Sequence, residues 1–73
     1  MNDEAMTEPT FEHLEELVQQ RLQGRVRDLR LSLQDEGLIL HGQTSTYYAK
    51  QLAQHAAMEV SGLPILANNI EVR

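Results

Sequence analysis

His13, His41 and His55 are the residues of this chain best suited to holding a metal. His55 and Glu59 stand four apart, a spacing that places both on one face of a helix and could clip a cation. Two ligands fall short of the four that structural zinc sites almost always use. The chain has no cysteine, which removes thiolate ligands and disulfide staples together. Nucleophilic catalysis finds equally little to work with. No serine is flanked by glycines on both sides, and Ser45 and Ser61 fall where helix ends are expected, so capping accounts for them. Glu15 and Glu16 are neighbours on a helical stretch, so their carboxylates diverge and do not form an acid/base pair. The four glycines are scattered at turns and make no phosphate-cradling loop. The expectation is a protein with no catalytic residues, no cofactor and no metal site.

Arg21, Arg25, Arg27 and Arg30 form the one dense cluster of charge that could act on a ligand. Such a run suits phosphate groups, either on an anionic lipid surface or on nucleic acid. Helix ends and strand edges carry the same charges for ordinary reasons. The net charge of −5 is unevenly spread: residues 1–16 hold six acids and neither Lys nor Arg, while residues 17–73 hold six bases against five acids. Total charge therefore describes the front of the chain, not its body.

Residues 1–9 are acidic and aperiodic and are expected to be a disordered leader, with one domain over residues 10–73. No apolar run approaches the ~20 residues of a membrane span. The acidic start, Met1-Asn2-Asp3-Glu4, is unlike a secretory signal, so a cytoplasmic location is expected.

Within the domain the hydrophobic period changes three times. Phe11, Leu14, Val18 and Leu22 recur at helical spacing after Thr10, a plausible N-cap, and before Gly24. Leu29, Leu31 and Leu33 then alternate with polar residues, as in a half-buried strand. Asp35-Glu36-Gly37 is turn chemistry, and Leu38 and Leu40 resume the alternation up to Gly42, giving a β-hairpin. Tyr48, Leu52 and Ala56, flanked by Ala49, Ala53 and Val60, form a second helix with an alanine-rich inner face. It opens at Thr44-Ser45-Thr46 and closes at Gly62 before Pro64. Ile65 to Val72 alternates again, with Leu66, Ile70 and Val72 on one face and Asn68 among them, expected to tie strand backbone to a turn. The order α-β-β-α-β predicts an α+β fold, with two helices on one face of a three-stranded mixed sheet and a right-handed crossover through the second helix. In the second helix Tyr48 shares the inner stripe and Tyr47 is expected to face out.

The second half also carries an ordered pattern. It runs Asp35-Glu36-Gly37-Leu38-Ile39-Leu40-His41-Gly42, then Tyr48, Lys50, Ala53 and Ala56, then Val60-Ser61-Gly62-Leu63, then Leu66-Ala67-Asn68-Asn69-Ile70-Glu71-Val72. This resembles the BON domain, a family named for osmotically induced bacterial proteins and nodulation proteins. The likeness extends over roughly residues 12–72, with Glu36 standing where that family usually has its turn glycine. It implies a small bacterial binding domain without catalytic activity, and phospholipid surfaces are the ligand usually suggested for the family.

If the helices cover one sheet face, alternation leaves Arg30, Ser32, Ile39, His41, Ile65, Ala67 and Asn69 on the other. Apolar Ile39, Ile65 and Ala67 among polar neighbours could make an association patch. Three readings follow. The first is a protein-binding or self-associating module that uses Arg30, Ile39, His41, Ile65, Ala67 and Asn69. The second is peripheral binding to anionic phospholipid through Arg21, Arg25, Arg27 and Arg30. The third, nucleic-acid binding, is the weakest, since the Gly-x-x-Gly loop of KH domains is missing.

Overall fold

The computed structural model describes residues 11–73. The expected leader at 1–9 and the Thr10 cap lie outside these. The elements are α1 (Phe11–Leu22), β1 (Val26–Gln34), β2 (Gly37–Thr44), α2 (Tyr47–Ser61) and β3 (Ile65–Val72). The predicted order α-β-β-α-β and the mixed sheet are therefore present. β1 pairs antiparallel with β2, and β2 pairs parallel with β3, in the spatial order β1-β2-β3.

One core lies between the helices and the sheet. Val18 and Leu22 from α1, Ala49, Ala53, Ala56 and Ala57 from α2, and Val26, Leu29, Leu31, Leu38, Leu40 and Ile70 from the sheet are all buried. Alanines on the inner face let α2 approach the strands closely, and the long side chains needed to fill the space come from the sheet and α1. Leu52, which shared the predicted stripe with Tyr48, is only partly buried against this core. Tyr48 itself is 65 % exposed, not turned inward, and Tyr47 is 63 % exposed. The inner stripe runs through Ala49, Ala53 and Ala56–Ala57, which rotates both tyrosines of the first turn outward.

Both ends of α2 are closed as its sequence suggests. Thr46 is the N-cap, and its hydroxyl accepts from the Ala49 amide at 3.1 Å. Gly62 is the left-handed C-cap at φ +73, donating to the Met58 carbonyl at 2.8 Å. Ser61 has a capping role: its hydroxyl donates to the Ala57 carbonyl at 2.7 Å and accepts from the Leu63 amide at 3.0 Å.

Two irregularities in the strands depart from strict alternation. Between Arg27 and Arg30, β1 carries two residues against one in β2, a β-bulge opposite Gly42. Asp28 takes φ +55 there, and both Val26 and Leu29 point into the core. The second shift falls in β3, where Leu38 pairs with Ile65 but Ile39 pairs with Ala67. The extra residue is Leu66. Its effect is to turn Ile65 toward the core, against which it is packed, and to release Leu66, which is 50 % exposed. Leu66 was expected on the helix face with Ile70, and Ile65 on the opposite face; the bulge exchanges them. Leu33 and Val72 keep the inward parity of their strands but are left 53 % and 41 % exposed.

Candidate functional site

Element positions leave one broad surface uncovered among the described residues: the sheet face away from α1 and α2. The strand register builds it in rows. Arg27, Gln43 and Glu71 form one row, Arg30, His41 and Asn69 the next, and Ser32, Ile39 and Ala67 the third. A fourth level begins with Gln34 beside Gly37, and here Leu66 lies across the glycine. A β-carbon built on Gly37 would meet Leu66 Cγ at 2.5 Å, so Gly37 makes room for that leucine. The face thus has a polar, charged half near the Thr44 end of β2 and an apolar half near the hairpin turn, made by Ile39, Ala67 and Leu66.

Five of the six residues expected on an association face are placed there together: Arg30, Ile39, His41, Ala67 and Asn69. Ile65 is corrected to the core side, for the reason given above, and Leu66 takes its position in the patch. Arg27 joins the face because the bulge reverses the parity that alternation from Leu29 gives it, while Gln43 and Glu71 join it by continuing the regular alternation of β2 and β3. The signals for both corrections are in the sequence only as spacing faults. Val26 and Leu29 are three apart where a regular strand needs an even number, and Ile65 directly follows Pro64.

The four arginines do not share one surface. Arg21 on α1 donates to the Glu59 carboxylate of α2 at 2.6 Å, an exposed ion pair on the helical layer. Arg25 sits in the loop after α1, while Arg27 and Arg30 belong to the opposite, open sheet face. Glu59, which sequence spacing paired with His55 as a cation clip, has Arg21 as its partner. Among the described residues no group of three or more His, Asp or Glu side chains is disposed to hold a metal ion.

One contact on the open face unites a hydroxyl with an imidazole: Ser32 Oγ and His41 Nε2 are 3.4 Å apart. That separation exceeds the 2.5–3.2 Å range of strong hydrogen bonds, and both groups lie on an open strand surface.

The sheet edges are managed separately from its face. The Glu15 carboxylate of α1 accepts from the Leu31 amide at 2.9 Å, and Gln19 Nε2 donates to the Val26 carbonyl at 2.8 Å. Both backbone groups belong to the outer edge of β1, which α1 thereby blocks. Gln19 Oε1 is buried without a partner, so this clasp leaves one acceptor unpaired. On the β3 edge, Asn68 Oδ1 accepts from the Ile70 amide at 3.2 Å, while Asn68 Nδ2 donates to the Lys50 carbonyl at 2.9 Å. Asn68 thus ties strand backbone, as expected, but its second partner is the helix α2 and not a turn. With both edges occupied in part by side chains, the face is the larger unpartnered surface.

Set against protein-family models, characterised proteins and solved structures, the chain matches none of them significantly. No helix among the described residues is long and apolar enough to cross a membrane.

Proposed function

We propose that this chain is a non-catalytic binding domain of BON-like type, and that its contact surface is the open sheet face. The observation that carries this reading is the joining of Ile39, Ala67 and half-exposed Leu66 into one apolar patch beside Arg30, His41 and Asn69. Leu66 reaches that patch only through a bulge and a glycine that makes room for it. An apolar centre with a polar margin is the anatomy of a protein contact. Arg21 is held by Glu59 on the helical layer, away from Arg27 and Arg30, which reduces the common surface that the phospholipid reading needs and favours a protein partner.

A photoreactive amino acid introduced in living cells at Ile39 or Ala67 tests the reading, with His55 on the helical layer as control. Protein adducts are expected from positions 39 and 67, not from 55, and are expected to be lost on Arg30→Glu. Adducts that form equally from both layers, or from neither, would overturn it.

A further inference from the structure

Arg27 and Glu71 occupy the same row of the open face, on its two outer strands, with Gln43 between them. Within one chain they are two strand spacings apart, roughly 10 Å. That is beyond ion-pair distance. Glu71 instead holds Arg73 at 2.8 Å, a contact between exposed side chains two residues apart. Pairs of this kind are worth little and exchange partners readily.

Consider a two-fold axis parallel to the strands and passing above β2. It lays β1 of one copy over β3 of the other and keeps each row at its own level. Arg27 then faces Glu71 of the second copy, and Glu71 faces the second Arg27. The same operation brings the apolar level onto itself, with Ile39 at the axis and Ala67 and Leu66 beside it. An axis perpendicular to the strands would instead set the charged half of one copy on the apolar half of the other. Sheets stack about 10 Å apart, a gap that an arginine and a glutamate reaching toward each other can span.

We propose that the occupant of the open face is a second copy of this chain, related by a two-fold axis along β2 and fixed in direction by reciprocal Arg27–Glu71 pairs. The proposal rests on the reading of that face as the contact surface and adds the partner and its geometry. Three strands of about eight residues give a face of roughly 15 × 26 Å in projection. That lies below the ~800 Å² per partner of standard interfaces. The dimer is accordingly weak and populated at high protein concentration.

Charge exchange tests the arrangement. In sedimentation velocity over a concentration series, the wild type should shift from monomer to dimer. Arg27→Glu alone and Glu71→Arg alone should each need at least tenfold more protein to do so, with unchanged circular dichroism showing that both fold. An equimolar mixture of the two variants should dimerise at least as readily as the wild type. Both contacts are then Glu opposite Arg in the mixed pair. A wild type that stays monomeric at every concentration would overturn the proposal, as would single variants that dimerise normally or a mixture that fails to recover. The cross-linking experiment keeps the two readings apart. Adducts from positions 39 and 67 at a mass other than that of two chains leave the open face as a contact surface and remove the second copy as its occupant.

Discussion

Glu36 holds φ +67 and Asp35 φ +51, so the two-residue turn between β1 and β2 has both residues in the left-handed region. This is the backbone sign of the primed hairpin turns that suit the strand twist. Asp is a common first residue of such turns, while the second is usually glycine. The glycine comes one place later because Gly37 has a different task, leaving room for Leu66. A left-handed residue with a β-carbon costs about 1–2 kcal/mol, and glycine in its place costs about 0.5–1 kcal/mol of extra chain entropy. Glu36→Gly is therefore expected to stabilise the fold by about 0.5–1 kcal/mol, read as a higher urea midpoint at constant slope. Gly42 has the opposite sensitivity. It lies at φ +155 facing the bulge, and a β-carbon there would meet Val26 Cγ1 at 2.9 Å and the Arg27 carbonyl oxygen at 3.0 Å. Gly42→Ala should cost about 1–3 kcal/mol by the same measurement. Turn residues at Asp35–Gly37 were legible in the sequence. The separate reasons for glycine at 37 and 42 were not, because both depend on contacts with distant segments.

At the level of elements, periodicity located both helices and all three strands, since each buries one face and the pattern of 3.6 or 2 survives in the apolar residues. It failed where a strand carries an odd residue. The Asp28–Leu29 bulge resets the parity of β1, and the Leu66 bulge resets β3, so Ile65 and Leu66 were assigned to each other's faces. It also failed at Tyr48, because four small alanines outweigh one tyrosine in deciding which side of α2 can approach the sheet. That close approach has a consequence for α2. Ala53 is fully buried, so Ala53→Leu should overpack the contact and destabilise the domain by about 1–3 kcal/mol in denaturant unfolding. The clasp of α1 on the β1 edge is a second element-scale feature. Glu15→Ala removes the acceptor of the Leu31 amide, a charge-assisted bond worth about 1.5–3 kcal/mol. It should speed hydrogen exchange at Leu31 and, by freeing an edge strand, promote aggregation. Glu15→Gln keeps an acceptor and should restore much of the protection.

For the molecule as a whole, 73 residues without a disulfide bury a modest fraction of their surface, so the isolated domain has little stability to spare. Any species that binds only the folded state then shifts unfolding measurably. If the bound species is a second copy, the stability of the domain becomes a function of its own concentration. Wild-type melting temperature should rise by several degrees over each tenfold increase in protein above the dissociation constant, because a domain of this size gains about 4–8 °C per kcal/mol. Arg27→Glu should flatten that dependence without lowering the melting temperature at high dilution, since Arg27 is exposed and outside the core. Ile39→Lys should flatten it too, by charging the apolar level at the axis. The two variants separate in salt. Added salt screens the Arg27–Glu71 pairs and so weakens the wild-type concentration dependence, while it relieves the like-charge contact in Arg27→Glu and brings the two curves together. Ile39→Lys loses apolar contact as well, so its curve should stay apart from the wild type at high ionic strength.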